Sequence, residues 1–286
     1  MVASPFVMPE DAMATFPEAL SADRILSAIE QRSSASANPV APDITVLSRV
    51  DSTNALALKS ASSGQSGAIW VAEQQTAGRG RSGRRWHSPD AASVYFSMLW
   101  HFDSEVTQLE GLSLAVGVVV AELLDEMGVA DVQLKWPNDV LCNGQKLGGI
   151  LLEMQLRDDG CASVVVGVGL NVSLPIQASD EIDQAWTDLS QQLDEAPSRN
   201  DIIAALAVKL WKLCEEFPQQ GFAPLKPRWA RFDCLANQPV DTYSVNGTLS
   251  GLVIGVADSG ALMLSVDGET QMLHGGEISV RARGAQ

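Results

Sequence analysis

Gly78-Arg79-Gly80-Arg81-Ser82-Gly83-Arg84-Arg85-Trp86-His87-Ser88-Pro89 is the stretch on which the fold class turns. Its first six residues formally satisfy G-x-G-x-x-G and follow the strand-like run Ile69-Trp70-Val71-Ala72, the arrangement that opens a dinucleotide-binding unit. In that unit the glycines lead into a helix whose N-terminus holds pyrophosphate. Here Arg84 to Pro89 follows, with a proline and no apolar periodicity, so a dinucleotide fold is not expected. The phosphate loop G-x-x-x-x-G-K-[ST] does not occur anywhere in the chain. What remains is four arginines within seven positions, interleaved with glycines that let backbone N–H groups approach a ligand closely. The combination suits a phosphate-bearing small molecule; the lesser alternative for the segment standing alone is a solvated, mobile surface loop.

The arginines are conspicuous because the chain is acidic. Its 286 residues hold 19 Lys and Arg against 35 Asp and Glu, a formal net charge of -16. Such a balance argues against general attraction to nucleic acid or acidic membranes, so a basic cluster has a local purpose. Cys142, Cys161, Cys214 and Cys234 are widely spaced, with no CxxC pair and no histidines at metal-ligand spacing, which predicts reduced structural thiols. The start of the chain carries Glu10, Asp11 and Glu18 and no basic segment followed by an apolar one, so no secretory signal is read there. The longest apolar segment, near Leu112 to Met127, is interrupted by Glu122, Asp125 and Glu126 and is poor material for a membrane span. A cytoplasmic location follows.

Residues 1–43 alternate Pro, Ala and Ser around one short helix, Ser21 to Gln31, and are expected to form a flexible, loosely packed tail. Residues 44–236 mix both periodicities: strands at Ile69–Ala72, Val94–Trp100, Val132–Trp136, Leu147–Met154 and Ser163–Val168, and helices near Gly111–Met127 and from Ser198 to Phe217. Asn143-Gly144 and Asp158-Asp159-Gly160 are tight-turn signals that predict antiparallel hairpins between the last three strands. From residue 237 to 286, turns at Asn246-Gly247, Asp258-Ser259-Gly260, Asp267-Gly268 and Gly275-Gly276 divide short apolar runs, as in a small SH3-like β-barrel. The expected class is α+β.

Three further segments carry chemistry. Lys146 precedes Leu147-Gly148-Gly149-Ile150, so its ammonium sits at the mouth of a buried strand beside glycines that leave room for a ligand. Lys135-Trp136-Pro137-Asn138-Asp139 ends a strand with a lysine, an amide and a carboxylate together; a lone lysine there would simply snorkel to water. Gly167-Val168-Gly169-Leu170-Asn171 allows close backbone approach and offers an amide, though a strand kink reads the same way.

Taken in order, Asp51-Ser52-Thr53-Asn54, Gln75 to Pro89, Lys135 to Asp139, Lys146 to Glu153 and Gly167 to Asn171 resemble the biotin-protein ligases, and Gly255 to Leu262 with Gly275 to Arg281 looks like that family's terminal barrel. The resemblance covers roughly residues 44 to 283. It implies a catalytic domain of the class II aminoacyl-tRNA synthetase-like kind, with a central mixed or antiparallel sheet and helices. It implies ATP, biotin and Mg2+, a biotinyl-5'-AMP intermediate, and transfer to a lysine of the biotin carboxyl carrier protein of acetyl-CoA carboxylase. Carried over residue by residue, Lys146 and Arg81 are the catalytic cations. Ser52, Thr53, Asn54, Gln75, Arg79, Gly80, Arg81, Lys146 and Gly149 surround biotin. Arg79, Arg81, Arg84, Trp86, Lys146 and Asn171 serve ATP and the adenylate, with Trp86 as an adenine-side wall, and Asp139 is a weak candidate for the metal. Trp136, Leu147 and Ile150 are candidates for the apolar slot, and equally for plain core.

Many bacterial members add an N-terminal DNA-reading domain. With five prolines and only Arg24 and Arg32 as basic residues, the segment before residue 44 is not expected to read DNA. The rivals are a lipoate-protein ligase or octanoyl transferase, which shares the fold and the lysine, and a non-catalytic biotin-binding protein. Gly78 to Arg81 with Lys135 to Asp139 favours biotin over the first, and Lys146 disfavours the second. No membrane partner is expected, and homodimerisation is left open.

Overall fold

The computed structural model describes residues 18–34, 40–175, 182, 184–195, 197–245, 247–275 and 278–283. Seven strands form the main sheet: β1 (Ile44–Val50), β2 (Ile69–Gln75), β3 (Ser93–Glu105), β4 (Val132–Lys135), β5 (Asp139–Cys142), β6 (Gln145–Leu156) and β7 (Cys161–Asn171). Their order is β1-β2-β3-β7-β6-β5-β4. β1 and β2 are parallel because α2 (Thr53–Lys59) crosses between them; every other pair is antiparallel and tight turns suffice. The sheet is therefore mixed, as the α+β reading required. Positive φ at Asn143, Gly144 and Gly160 reverses the chain at both expected turns; the second joins β6 to β7 as read, whereas the first joins β6 to β5, a strand the sequence reading did not list, so that β4 pairs with β5 and not with β6.

Near-continuous burial along β3 and β7 follows from helices on both faces. α3 (Leu112–Glu126) and α5 (Arg199–Gln220) cover one face, and α2 closes the other over Trp70, Leu99 and Val165. The stretch Val106–Glu126 has the length and composition of a membrane span despite its acids, but Leu112, Val116, Val120 and Leu124 are buried in the protein core, which accounts for that composition.

The expectation of a loose tail is corrected for residues 18–34. α1 (Ala22–Ser33), capped by Ser21, buries Ile25 and Ile29 completely and packs on α5. Just before it, Leu20 N donates to Glu73 Oε1 (2.6 Å), and Arg199 and Asn200 donate to the carbonyls of Glu18 and Ala19. A Ser/Ala/Pro-rich composition hides this, because two isoleucines one helical turn apart suffice to dock a three-turn helix. Residues 1–17 lie outside the described ones, as do Asn246 and Gly276 of the expected turns.

The second sheet, order β11-β10-β9-β8-β12, comprises β8 (Pro239–Ser244), β9 (Gly247–Val256), β10 (Leu262–Val266), β11 (Glu269–Leu273) and β12 (Ser279–Ala282), all antiparallel. This is the SH3-like barrel read from the turn spacing. Its buried Val240, Val253, Leu262 and Leu264 join the same hydrophobic core as the main sheet.

Candidate functional site

An open cleft lies over β6 and β7, and the arginine-rich stretch forms its wall. That stretch is a hairpin: Gly80 N donates to Arg84 O (2.7 Å), Trp86 N to Gly78 O (2.9 Å), and Arg79 pairs with Arg85. Ser82 (φ 52°) and Gly83 (φ 72°) make the reversal, with Arg84 N donating back to Arg81 O (3.1 Å). Consecutive positive φ values are what a two-residue hairpin turn needs, and this explains why no helix follows the glycines.

The hairpin is anchored on three sides. Arg79 Nη2 pairs with Glu153 Oε1 on β6 (2.9 Å); Arg81 Nη1 donates to Asn138 Oδ1 (3.2 Å) and its Nη2 to Gly275 O of the second lobe (2.6 Å). Burial pulls the Arg81 guanidinium below its ordinary pKa, Arg84 adds to this, and Asp139 opposes it. The Trp86 indole lies on the floor made by the cross-strand pair Gly149 and Gly169: a Cβ at Gly169 would come within 2.7 Å of the ring and one at Gly149 within 3.2 Å. Its Nε1 is buried and makes no hydrogen bond among the described residues. Lys146 Nζ is 5.6 Å from the ring centroid and 2.6 Å from Asp139 Oδ1.

At the inner end, Ser52 caps α2 by accepting from Ala55 N (3.3 Å). Gln75 Oε1 accepts from Thr53 N (2.9 Å) while its Nε2 donates to Ser88 Oγ (3.1 Å), tying α2 to the hairpin's exit. Asn54 donates from Nδ2 to Leu151 O and Glu153 Oε2, both 3.1 Å, and its Oδ1 accepts from Ser97 Oγ (2.6 Å). It fits there because Gly167 has no side chain; a Cβ would be 2.2 Å from Asn54 Oδ1.

Of the residues named from the sequence, Ser52, Asn54, Gln75, Arg79, Gly80, Arg81, Arg84, Trp86, Asp139, Lys146 and Gly149 line this one cleft. Two do not. Thr53 turns inward to Gln75 and Ser97. Asn171 donates to Thr187 O (3.0 Å) and Lys146 O (3.4 Å), so its amide holds the backbone behind Lys146 instead of facing a base. Of the apolar candidates, Ile150 lines the cleft, whereas Leu147 is core. Trp136 is buried with Nε1 on Gly260 O (3.0 Å), beside a second cleft between the lobes. Glu153, Ser97 and Gln184 were missed. Glu153 could have been suspected as a carboxylate four residues after two adjacent glycines on an otherwise apolar strand.

Five cations, Arg79, Arg81, Arg84, Arg85 and Lys146, face one carboxylate, Asp139, among the lining residues. In a chain of net charge -16 that is a field built for an anion. Among the described residues no three of His, Cys, Asp and Glu come together, and Asp139 is engaged by Lys146. An ion carried in on a polyphosphate needs only one such carboxylate.

Residues 46–171 match the biotin/lipoate A/B protein ligase family, and residues 237–281 the biotin protein ligase C terminal domain. The chain is 37% identical over 263 residues to the bifunctional ligase/repressor BirA of Salmonella typhimurium, covering 92% of this chain and 79% of that one. It is 34% identical to the biotin--[acetyl-CoA-carboxylase] ligase of Paracoccus denitrificans, over 82% of this chain and 98% of the relative. Among solved structures, the biotin protein ligase from Aquifex aeolicus in complex with biotin and ATP superposes with a TM-score of 0.71 at 27% identity, covering 84% of this chain and 99% of that one.

Proposed function

This chain belongs to the biotin/lipoate A/B protein ligase family, and from that premise we propose that it makes biotinyl-5'-AMP from biotin and MgATP and passes the biotinyl group to a lysine of the biotin carboxyl carrier protein of acetyl-CoA carboxylase. The observation that carries the reading is the Lys146–Asp139 pair at the centre of an otherwise cationic cleft. In the first step a biotin carboxylate oxygen attacks the α-phosphorus and pyrophosphate leaves; two anions must meet. Lys146 offsets their repulsion and stabilises charge developing on the phosphorus oxygens, and Asp139 holds its ammonium in place. In the second step the acceptor amine attacks the biotinyl carbonyl carbon, AMP leaves, and the amine gives up its proton.

The adenylate is a mixed anhydride and survives only if water is kept away. The 78–86 hairpin, with Arg79 and Arg81 reaching across to opposite sides, is suited to cover it. Ser52, Asn54 and Gln75 supply the donors and acceptors that a ureido ring needs, and Ile150 apolar surface for an acyl chain. Magnesium enters on the ATP phosphates. A cytoplasmic setting fits the four free cysteines.

The test is to incubate the protein with ATP, magnesium, labelled biotin or labelled lipoate, and a biotin carboxyl carrier domain. Label is expected on the carrier from biotin alone. Lys146→Ala is expected to lower the rate on the order of 10²-fold, equivalent to about 3 kcal/mol of transition-state stabilisation. Labelling from lipoate, or an unchanged rate in Lys146→Ala, would overturn the reading.

A further inference from the structure

Glu153 is the only carboxylate that touches both the inner wall of the cleft and its lid, among the described residues. Its two oxygens are divided between them: Oε2 accepts from Asn54 Nδ2 (3.1 Å) at the start of α2, and Oε1 pairs with Arg79 Nη2 (2.9 Å) in the hairpin. The carboxylate is largely buried, 13% exposed, whereas Arg79 is 48% exposed. A buried charge that keeps one neutral and one cationic partner fixes both, because releasing either leaves it poorly solvated. The Asn54 end is itself rigid: its amide also reaches Leu151 O and Ser97 Oγ, and it is seated on Gly167 with no room to move inward.

We infer that Glu153 is a positioning residue that registers the lid against the biotin-side wall, so that Asn54 and Arg79 take their working places together. The inference rests on the ligase reading above. Glu153 does not line the cleft and makes no contact with substrate in this account; it acts through Asn54 and Arg79. With the latch closed, the hairpin shields the adenylate between the two steps. Without it, the Arg79 strand of the hairpin loses its tie to β6 while the Arg81 contacts and the Trp86 seat remain, and the adenylate escapes.

Glu153→Gln separates the two halves of the role, because a glutamine oxygen can still accept from Asn54 while the ion pair to Arg79 is lost. In purified full-length protein given biotin and MgATP without acceptor, Glu153→Gln is expected to release free biotinyl-adenylate faster than wild type, on the order of tenfold. The KM for biotin should change less than twofold. Glu153→Ala, which also frees Asn54, is expected to raise that KM as well. Arg79→Met should leak as Glu153→Gln does, and the double variant no faster than either, since both remove one contact. Leakage within twofold of wild type in Glu153→Gln, or a double variant whose effect is the product of the single ones, would overturn the inference. Thermal unfolding of each variant separates loss of the latch from loss of the fold: equal leakage in a Glu153→Gln protein with lowered stability also counts against it. A wild-type protein that forms no adenylate would instead sink the ligase reading itself.

Discussion

Gly169 has no side chain because the Trp86 indole lies where one would go. A methyl group at that position is expected to lift the indole off the floor, at a cost of about 1–3 kcal/mol for overpacking. Gly169→Ala should therefore lower the unfolding temperature, shift tryptophan fluorescence and weaken biotin and ATP binding together. Unchanged fluorescence and affinity would show that the indole does not depend on this floor. Lys146 and the arginines were legible only as members of an ordered set of motifs, since a lone cation at a strand end or in a loop usually just reaches water. Asn171 was not: an amide donates and accepts equally well in a cleft or behind it. Only the placement of Thr187 O and Lys146 O decided that it points away.

Among the elements, the lid and α1 show what local reading leaves open. The lid's sequence matches a dinucleotide loop in glycine spacing, yet Ser82 and Gly83 in left-handed conformation make it a hairpin. Arg81 ties that hairpin to Asn138 and Gly275. Arg81→Gly is expected to leave adenylate synthesis measurable while releasing free biotinyl-adenylate into solution; release no greater than wild type, with synthesis intact, would refute the lid role. For α1 the helix was read but its docking was not, because the surrounding composition suggested a loose tail. Ile29→Ala removes a fully buried side chain between α1 and its neighbours and is expected to cost about 2–5 kcal/mol. Denaturant unfolding would check this; a loss below about 0.5 kcal/mol would fit a surface site and not a docked helix.

At the scale of the whole molecule, the two lobes share one core and a polar seam. Trp136 Nε1 donates to Gly260 O, Arg81 to Gly275 O, and Lys226 pairs with Asp258. The first of these is buried, so Trp136→Phe leaves a carbonyl without its partner at about 1–3 kcal/mol. A single cooperative unfolding transition at lower temperature is expected. Two separate transitions in the wild type would contradict a shared core. The order of the motifs, the helix and strand periods and the turns at Asn143-Gly144 and Gly160 belong to the sequence by itself, because they depend on neighbours within a few residues. That was enough for the α+β class and the second lobe, whereas the site residues that proved to line the cleft were carried over from the family resemblance. The tertiary structure alone decided which way each amide faces, that residues 18–34 are packed, and that Glu153 joins Asn54 to Arg79. Those depend on contacts between residues from 16 to 181 positions apart, whose distances are set only when the sheet closes and the helices dock.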